Sequence, residues 1–237
     1  MLRIEHLTKR YGPKTAVDDL SLKIHPGEIC GFIGHNGAGK TTTLKCVAGI
    51  HPFDEGEILV NSLSITRDAL ACKRIMAYIP DNPDLYDYMT GIQYLGFIAD
   101  IFGMSAQSRE SAISRYTQLF GLWEHLSKPI RAYSHGMKQK LALTAAFFHD
   151  PLLIIMDEPF VGLDPTASYT LKRLMREFCD KGGAIFFSTH VLDVAEKLCD
   201  QVAILQEGKL ICSGPMRDVI ADRSLEHVFL NLQGMET

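Results

Sequence analysis

The chain has no CxxC pair, no excess of positive charge, no repeated or low-complexity segment, and no apolar run long enough to cross a bilayer. Each absence removes a class. Six scattered cysteines (Cys30, Cys46, Cys72, Cys179, Cys199 and Cys212) without metal-ligand spacing read as reduced, mostly buried thiols. A net charge of −4 gives no support to a nucleic-acid partner. The longest apolar stretch, around 141–156, is broken by His149, Asp150 and Pro151, so no transmembrane helix is expected. The opening "MLRIEHLTKRYG" has no apolar core of a secretory leader. What remains is a 237-residue chain, 46% hydrophobic and 22% charged, an ordinary composition for one large globular domain or one with an added lobe.

Short apolar runs recur at "EICGFI" (28–33), "RIMAYI" (74–79), "LLIIM" (152–156), "AIFFS" (184–188) and "QVAIL" (201–205). Runs apolar on both faces suit strands buried in a parallel sheet. Helical patterns at 40–49, 165–179 and 192–199 separate them, and strand–helix alternation points to the α/β class. The first 25 residues differ: two alternating runs flank the turn signal Gly12-Pro13, as in an antiparallel hairpin, and "EGEILVNSLSI" (55–65) reads alike. A small antiparallel sheet is therefore expected beside the main one. Between Pro83 and Asp150 strand patterns vanish. Ile92, Leu95, Ile98 and Ile101, then Ile113, Tyr116, Leu119 and Phe120, take helical spacing and predict a helical lobe inserted into the core. The last twenty residues read as a short tail.

The chemistry begins at "GHNGAGKT", Gly34 to Thr41, which fits G-x-x-x-x-G-K-[ST], follows an apolar strand and opens a helix. Gly34, Gly37 and Gly39 let the backbone curl so that successive N–H groups face a phosphate. The helix N-terminus adds partial positive charge. Lys40 then reaches the β- and γ-phosphates, and the Thr41 hydroxyl faces Mg²⁺. A glycine-rich turn matched by chance is the bland reading, and the strand–loop–helix setting argues against it. Farther on, "LLIIMDEP" (152–159) ends a buried strand in two carboxylates, at the sheet edge where open α/β folds bind ligands. Asp157 would hold Mg²⁺, through water, and Glu158 would polarise an attacking water. Alone the pair could equally cap a helix.

A second anion-binding pattern lies a hundred residues beyond the first. In "RAYSHGMKQKLALTAAF" (131–147), Tyr133, Ser134, His135 and Gly136 open a helix. The Ser134 hydroxyl and the bare backbone near Gly136 suit an anion, although a plain N-cap with a basic solvated face explains the same residues.

In order and spacing these stretches resemble the ATP-binding subunit of an ABC transporter, of bacterial exporter-like type, along nearly the whole chain. "YSHGMKQK" (133–140) sits where that family has its signature, "GLDP" (162–165) resembles the D-loop, and "STH" (188–190) the switch-histidine segment. The resemblance implies a P-loop NTPase (RecA-like) core with a small antiparallel β-subdomain, residues 1–82 and 151–237, and an inserted helical subdomain, residues 83–150. It implies ATP and Mg²⁺ as cofactors and ATP hydrolysis as the activity. Glu158, His190 and Asp81 would serve catalysis. Thr41, Asp157 and Asp81 would face the metal. Tyr11 would stack on adenine, with Gly34, His35, Asn36, Gly37, Ala38, Gly39, Lys40, Thr41 and Thr42 around the phosphates. Ser134, Gly136 and Asp164 would complete the site of a second subunit, identical or related, paired head to tail, which explains why one chain carries two anion sites.

The family also implies a transmembrane permease partner, no nucleic acid, and a cytoplasmic position on the inner face of the membrane. Tyr86 and Tyr88, in "DNPDLYDYM" (81–89), would edge the groove for that partner, unless they fold back on the helical lobe. The sequence departs from the family in two places. Asp81 stands where Gln is usual, so it would meet Mg²⁺ only through water or serve mainly as a hinge. His135 and Met137 stand where Gly and Gln are frequent, and His135 would point a titratable group at the neighbouring nucleotide. The alternative function is a soluble ATPase of the same family working in assembly, such as iron–sulfur cluster biogenesis. A nucleic-acid-linked relative would need the coiled coils or tandem domains this sequence lacks.

Overall fold

The computed structural model describes residues 1–232. Two sheets form the frame. The smaller is antiparallel, in the order β2-β1-β4-β5, from β1 (Leu2–Tyr11), β2 (Lys14–Ile24), β4 (Glu55–Val60) and β5 (Leu63–Ser64). The larger has the order β10-β9-β3-β8-β7-β6, from β3 (Ile29–Ile33), β6 (Met76–Ile79), β7 (Leu153–Asp157), β8 (Ala184–Thr189), β9 (Gln201–Gln206) and β10 (Lys209–Pro215). Its strands run parallel except at the β9–β10 edge.

The central strands β3, β7 and β8 are buried throughout, and the two-residue period divides their side chains between two cores. Ile29, Ile33, Ile154, Met156, Ile185 and Phe187 face one. Cys30, Phe32, Leu153, Ile155, Ala184 and Phe186 face the other, which the small sheet and α1 (Lys40–Val47) cover. The first core is covered by helices: α3 (Gly91–Ile101), α4 (Ala106–Leu119) and α5 (His135–Phe147), then α6 (Pro165–Asp180) and α7 (Leu192–Leu198). The short α2 (Ala69–Arg74) precedes β6, and α8 (Met216–Ile220) and α9 (Leu225–Leu232) end the described chain.

Helix starts follow local chemistry. Thr90 and Gln93 form a reciprocal capping box on α3, Ser105 caps α4, Ser134 caps α5, and Asp164 followed by Pro165 opens α6. On α4 the expected apolar residues Ile113, Tyr116 and Phe120 are buried. On α3 the expected stripe is only partly correct. Leu95 is buried and Ile98 half-buried, but Ile92 and Ile101 are exposed, and Gly91 and Ala99 take the buried face instead. The reason is geometric: nine residues is two and a half turns, so positions 92 and 101 fall on opposite sides of a helix.

The C-terminal stretch also differs from a plain tail. α9 packs on α7 and α8, Leu225 and Phe229 are buried, and the Leu225 N–H donates to Glu196 Oε2 at 2.7 Å. Residues 233–237 of the expected tail lie outside the described residues.

Candidate functional site

The C-terminal ends of β3, β7 and β8 lie side by side, with Ile33 opposite Thr189 and Asp157 opposite Ser188. Beyond Ile33 the chain turns through residues 34–39 into α1. Gly39 stands at the helix N-cap with φ 107°, a conformation L side chains avoid, and a Cβ there would lie 2.4 Å from the Ala16 carbonyl oxygen. Only glycine lets the loop pass this close to β2. The following residues are hydroxyl-bearing or basic, and no acidic side chain occupies the first turn of α1.

A cleft of about 380 Å³ opens over this loop. Tyr11, His35, Asn36, Gly37, Gly39, Lys40, Thr41, Thr42, Asp81, Asp157 and Glu158, all expected site residues, line it. Gly34 and Ala38 belong to the same turn but are not among the lining residues; the Gly34 carbonyl accepts from Lys40, and Ala38 packs into the core beneath. Two further lining residues, Lys14 and Ala16, were not anticipated. Their signal was available: Lys14 pairs with Tyr11 across the first hairpin, so a ligand resting on Tyr11 meets it.

Within the cleft the polar groups hold one another. Lys40 is 7% exposed, and its Nζ donates to the carbonyls of Gly34 (2.6 Å) and His35 (3.1 Å). Burial lowers its pKa, while Glu158 and Asp157 pull it back up. Thr41 Oγ1 donates to Asp157 Oδ2 at 2.6 Å, linking the start of α1 to the end of β7. Asp157 Oδ1 accepts from Ser188 Oγ, which in turn accepts the Glu158 N–H at 2.9 Å. Glu158 itself has φ 47°, and its Oε2 lies 2.9 Å from His190 Nδ1. Tyr11 is 45% exposed, with the Lys9 ammonium 5.0 Å over its ring. Asp81 is exposed, and its Oδ1 accepts the neighbouring Asn82 N–H.

His190, Ser134, Gly136 and Asp164 are not among the residues lining this cleft, although His190 reaches it through Glu158. Ser134 is exposed and accepts the Met137 N–H (3.3 Å). The start of α5 rests on the loop before α6: a Cβ on Gly136 would lie 2.6 Å from the Gly162 carbonyl oxygen, and one on Gly162 2.6 Å from His135 Cδ2. The exposed His135, expected to face a neighbour's nucleotide, lies with its ring beside Gly162 of its own chain. The basic residues of α5 are paired as well. Lys140 donates to Asp164 (2.6 Å) and Lys138 to Asp87 (2.7 Å), so the helix start is tied both to the α6 cap and to the segment after Asp81. The hydrogen bond from Lys140, then that from the Ala167 N–H, holds the Asp164 carboxyl below its ordinary range.

Tyr88 is 91% exposed, whereas Tyr86, also exposed, packs its ring edge-on to Phe97, so of the two only Tyr86 folds back on the helical lobe. The residue that sequence reasoning missed at greatest distance is Phe229, whose ring centre lies 5.0 Å from that of His35 in the glycine-rich loop.

A strand–glycine loop–helix with a buried lysine, facing two carboxylates at the C-terminal end of β7, one strand beyond β8, defines a nucleotide-hydrolysing P-loop protein. The family model described as ABC transporter matches residues 17–161, and the chain belongs to that family. It is similar to the uncharacterized ABC transporter ATP-binding protein YhcH of Bacillus subtilis, 37% identical over 235 residues, covering 97% of this chain and 74% of that one. It is also similar to the linearmycin resistance ATP-binding protein LnrL of Bacillus subtilis, 32% identical over 219 residues, covering 92% and 70%. Among solved structures, one described as the ATP binding subunit of an ABC transporter superposes with a TM-score of 0.94 at 34% identity, covering 98% of this chain and 99% of that one. The protein is thus an ATP-binding, ATP-hydrolysing subunit of the ABC transporter family.

Proposed function

We propose that this subunit works in a head-to-tail pair, each ATP being held by the cleft of one protomer and closed over by Ser134 and Gly136 of the other. The supporting observation is the division of anion-binding groups between two surfaces: the cleft takes its lining from the loop 34–42, Asp157 and Glu158, and none from the exposed start of α5. The Lys40 ammonium, resting on loop carbonyls, is the mobile cation for the terminal phosphates. Thr41 and Asp157, two hard oxygen donors 2.6 Å apart, suit Mg²⁺, with Asp81 at the rim. When bound, Mg²⁺ neutralises phosphate charge. Glu158 orients and deprotonates the attacking water, and His190 fixes the Glu158 carboxylate. Tyr11 and Lys14 hold the base end, and Asp164 reports across the interface.

The transport reading further requires a separate membrane subunit. Among the described residues no helix is long and apolar enough to cross a membrane, so any span would come from a partner, and YhcH carries the name of an ABC transporter ATP-binding protein. The relative's name favours transport over an assembly role. We assign the partner's docking helix to a cleft of about 320 Å³ between β6, α3 and α5, lined by Leu85, Tyr94, Ile98, Phe102 and His149, with Tyr88 exposed nearby. Lys138–Asp87 links that edge to the start of α5. The subunit would then lie at the cytoplasmic face of the membrane. Export is the direction favoured, and the resistance function in LnrL's name supports it.

The test is Glu158→Gln in the assembled transporter. ATP binding is retained, turnover falls by at least ~10²-fold, and the variant with ATP co-purifies with membrane subunits. Recovery of soluble proteins only would overturn the transport reading.

A further inference from the structure

We propose that Ser188 is a positioning residue for both carboxylates of the site, an inference resting on the reading that Glu158 drives hydrolysis. Ser188 sits on β8 directly opposite Asp157 in the parallel ladder and is fully buried. Its hydroxyl has one proton to donate and can accept another. The proton goes to Asp157 Oδ1, and the lone pair takes the Glu158 N–H.

Each contact has a directional consequence. With Oδ1 occupied by Ser188, Oδ2 is the Asp157 oxygen left to meet Thr41 at the metal end of the site. The second contact acts on the backbone. Glu158 adopts a left-handed conformation, φ 47°, which a non-glycine residue keeps only where its surroundings hold it. Glu158 is the residue after β7, where the sheet ladder ends, so the Ser188 hydroxyl supplies the acceptor the ladder no longer does. The same turn brings Glu158 Oε2 to His190 Nδ1, two residues beyond Ser188 on the same chain segment. One hydroxyl therefore sets the spacing between metal-facing and water-facing carboxylates. A serine kept only to fill space in a sheet core would be replaceable by alanine, which fits and is apolar.

The experiment compares Ser188→Ala and Ser188→Thr with wild type and Glu158→Gln, in the assembled transporter for turnover and in the isolated subunit for binding of a fluorescent ATP analogue. Ser188→Ala lowers kcat by about 10-fold with KM changed less than twofold. Analogue affinity without metal is unchanged, while the gain in affinity on adding Mg²⁺ shrinks at least threefold. Ser188→Thr, which keeps the hydroxyl, restores kcat to within about threefold of wild type.

Three results would overturn the proposal: kcat of Ser188→Ala within twofold of wild type, equal losses in the Ala and Thr variants, or a loss in Ser188→Ala that comes with a matching loss of metal-free nucleotide binding. Glu158→Gln separates the two readings. If it still turns over, the hydrolytic assignment fails. If it is inactive while Ser188→Ala is unaffected, only the role of Ser188 fails.

Discussion

Adding one methyl group at Gly136 and at Gly96 gives opposite expectations, although both are glycines inside helices. In an unobstructed helix interior, Gly→Ala stabilises by roughly 0.5–1 kcal/mol, because alanine has less freedom to lose on folding. A Cβ added at Gly96 in α3 would meet nothing within 4 Å, so Gly96→Ala should gain about that amount. At Gly136 the same methyl would meet the Gly162 carbonyl oxygen at 2.6 Å. That partner is backbone and cannot swing away as a side-chain tip would. Overpacking of this kind costs typically ~1–3 kcal/mol. The clash outweighs the propensity gain, leaving Gly136→Ala net destabilised by up to about 2 kcal/mol. For a chain of this size ~1 kcal/mol is roughly 2–4 °C in Tm. The two variants should therefore melt on opposite sides of wild type. The start of α5 must also move off the Gly162 turn, so ATPase turnover should fall in Gly136→Ala and stay unchanged in Gly96→Ala. Equal melting temperatures and equal turnover would refute the claim that α5 is seated on that turn.

Phe229→Ala removes the ring packed on His35 and should cost about 3–5 kcal/mol by urea titration, with weakened ATP affinity, since the glycine-rich loop loses its outer support. Burial lowers the His149 pKa below its ordinary value near 6.5. A folded-state value below the unfolded one means that this stability is complete above about pH 6.5 and declines as the pH falls from there through the folded value. Below pH 6.5, wild type should lose up to ~1.4 kcal/mol per pH unit from this one group, and His149→Phe should show the shallower slope. Five of the six cysteines are buried, with thiol pKa values pushed up by desolvation, to about 11 at Cys46 and about 12 at Cys179. A thiol reagent should label native protein first at the half-buried Cys212 and reach the others only on unfolding.

The strands of the main sheet were legible because burial on both faces leaves an unbroken apolar run, and "LLIIM" and "AIFFS" could satisfy no exposed role. The glycine-rich loop was legible for a different reason: its backbone path tolerates few residues, so the path is written in glycines. What stayed hidden depends on tertiary geometry. Ile92 and Ile101 repeat at a helical interval yet point apart, because a three-residue spacing drifts around the helix. Phe229 reads as part of a tail because nothing local says that α9 returns to His35. Ser188 stood inside a quoted motif, but its partners are set by the β7–β8 register, which a linear string does not display. The lysines of α5 read as a solvated face, and only the fold brings Asp87 and Asp164 to them.

The central claim is that one protomer's cleft and another's α5 enclose a single ATP. Its most direct test is the mass of a Glu158→Gln subunit by light scattering with ATP and Mg²⁺, its cognate subunits supplied, alone and combined with Ser134→Arg. The account predicts ATP-dependent pairing for Glu158→Gln, and loss of pairing without loss of ATP binding once Ser134→Arg is added. Pairing that survives Ser134→Arg, or a Ser134→Arg variant whose lone protomer can no longer bind ATP, would contradict it.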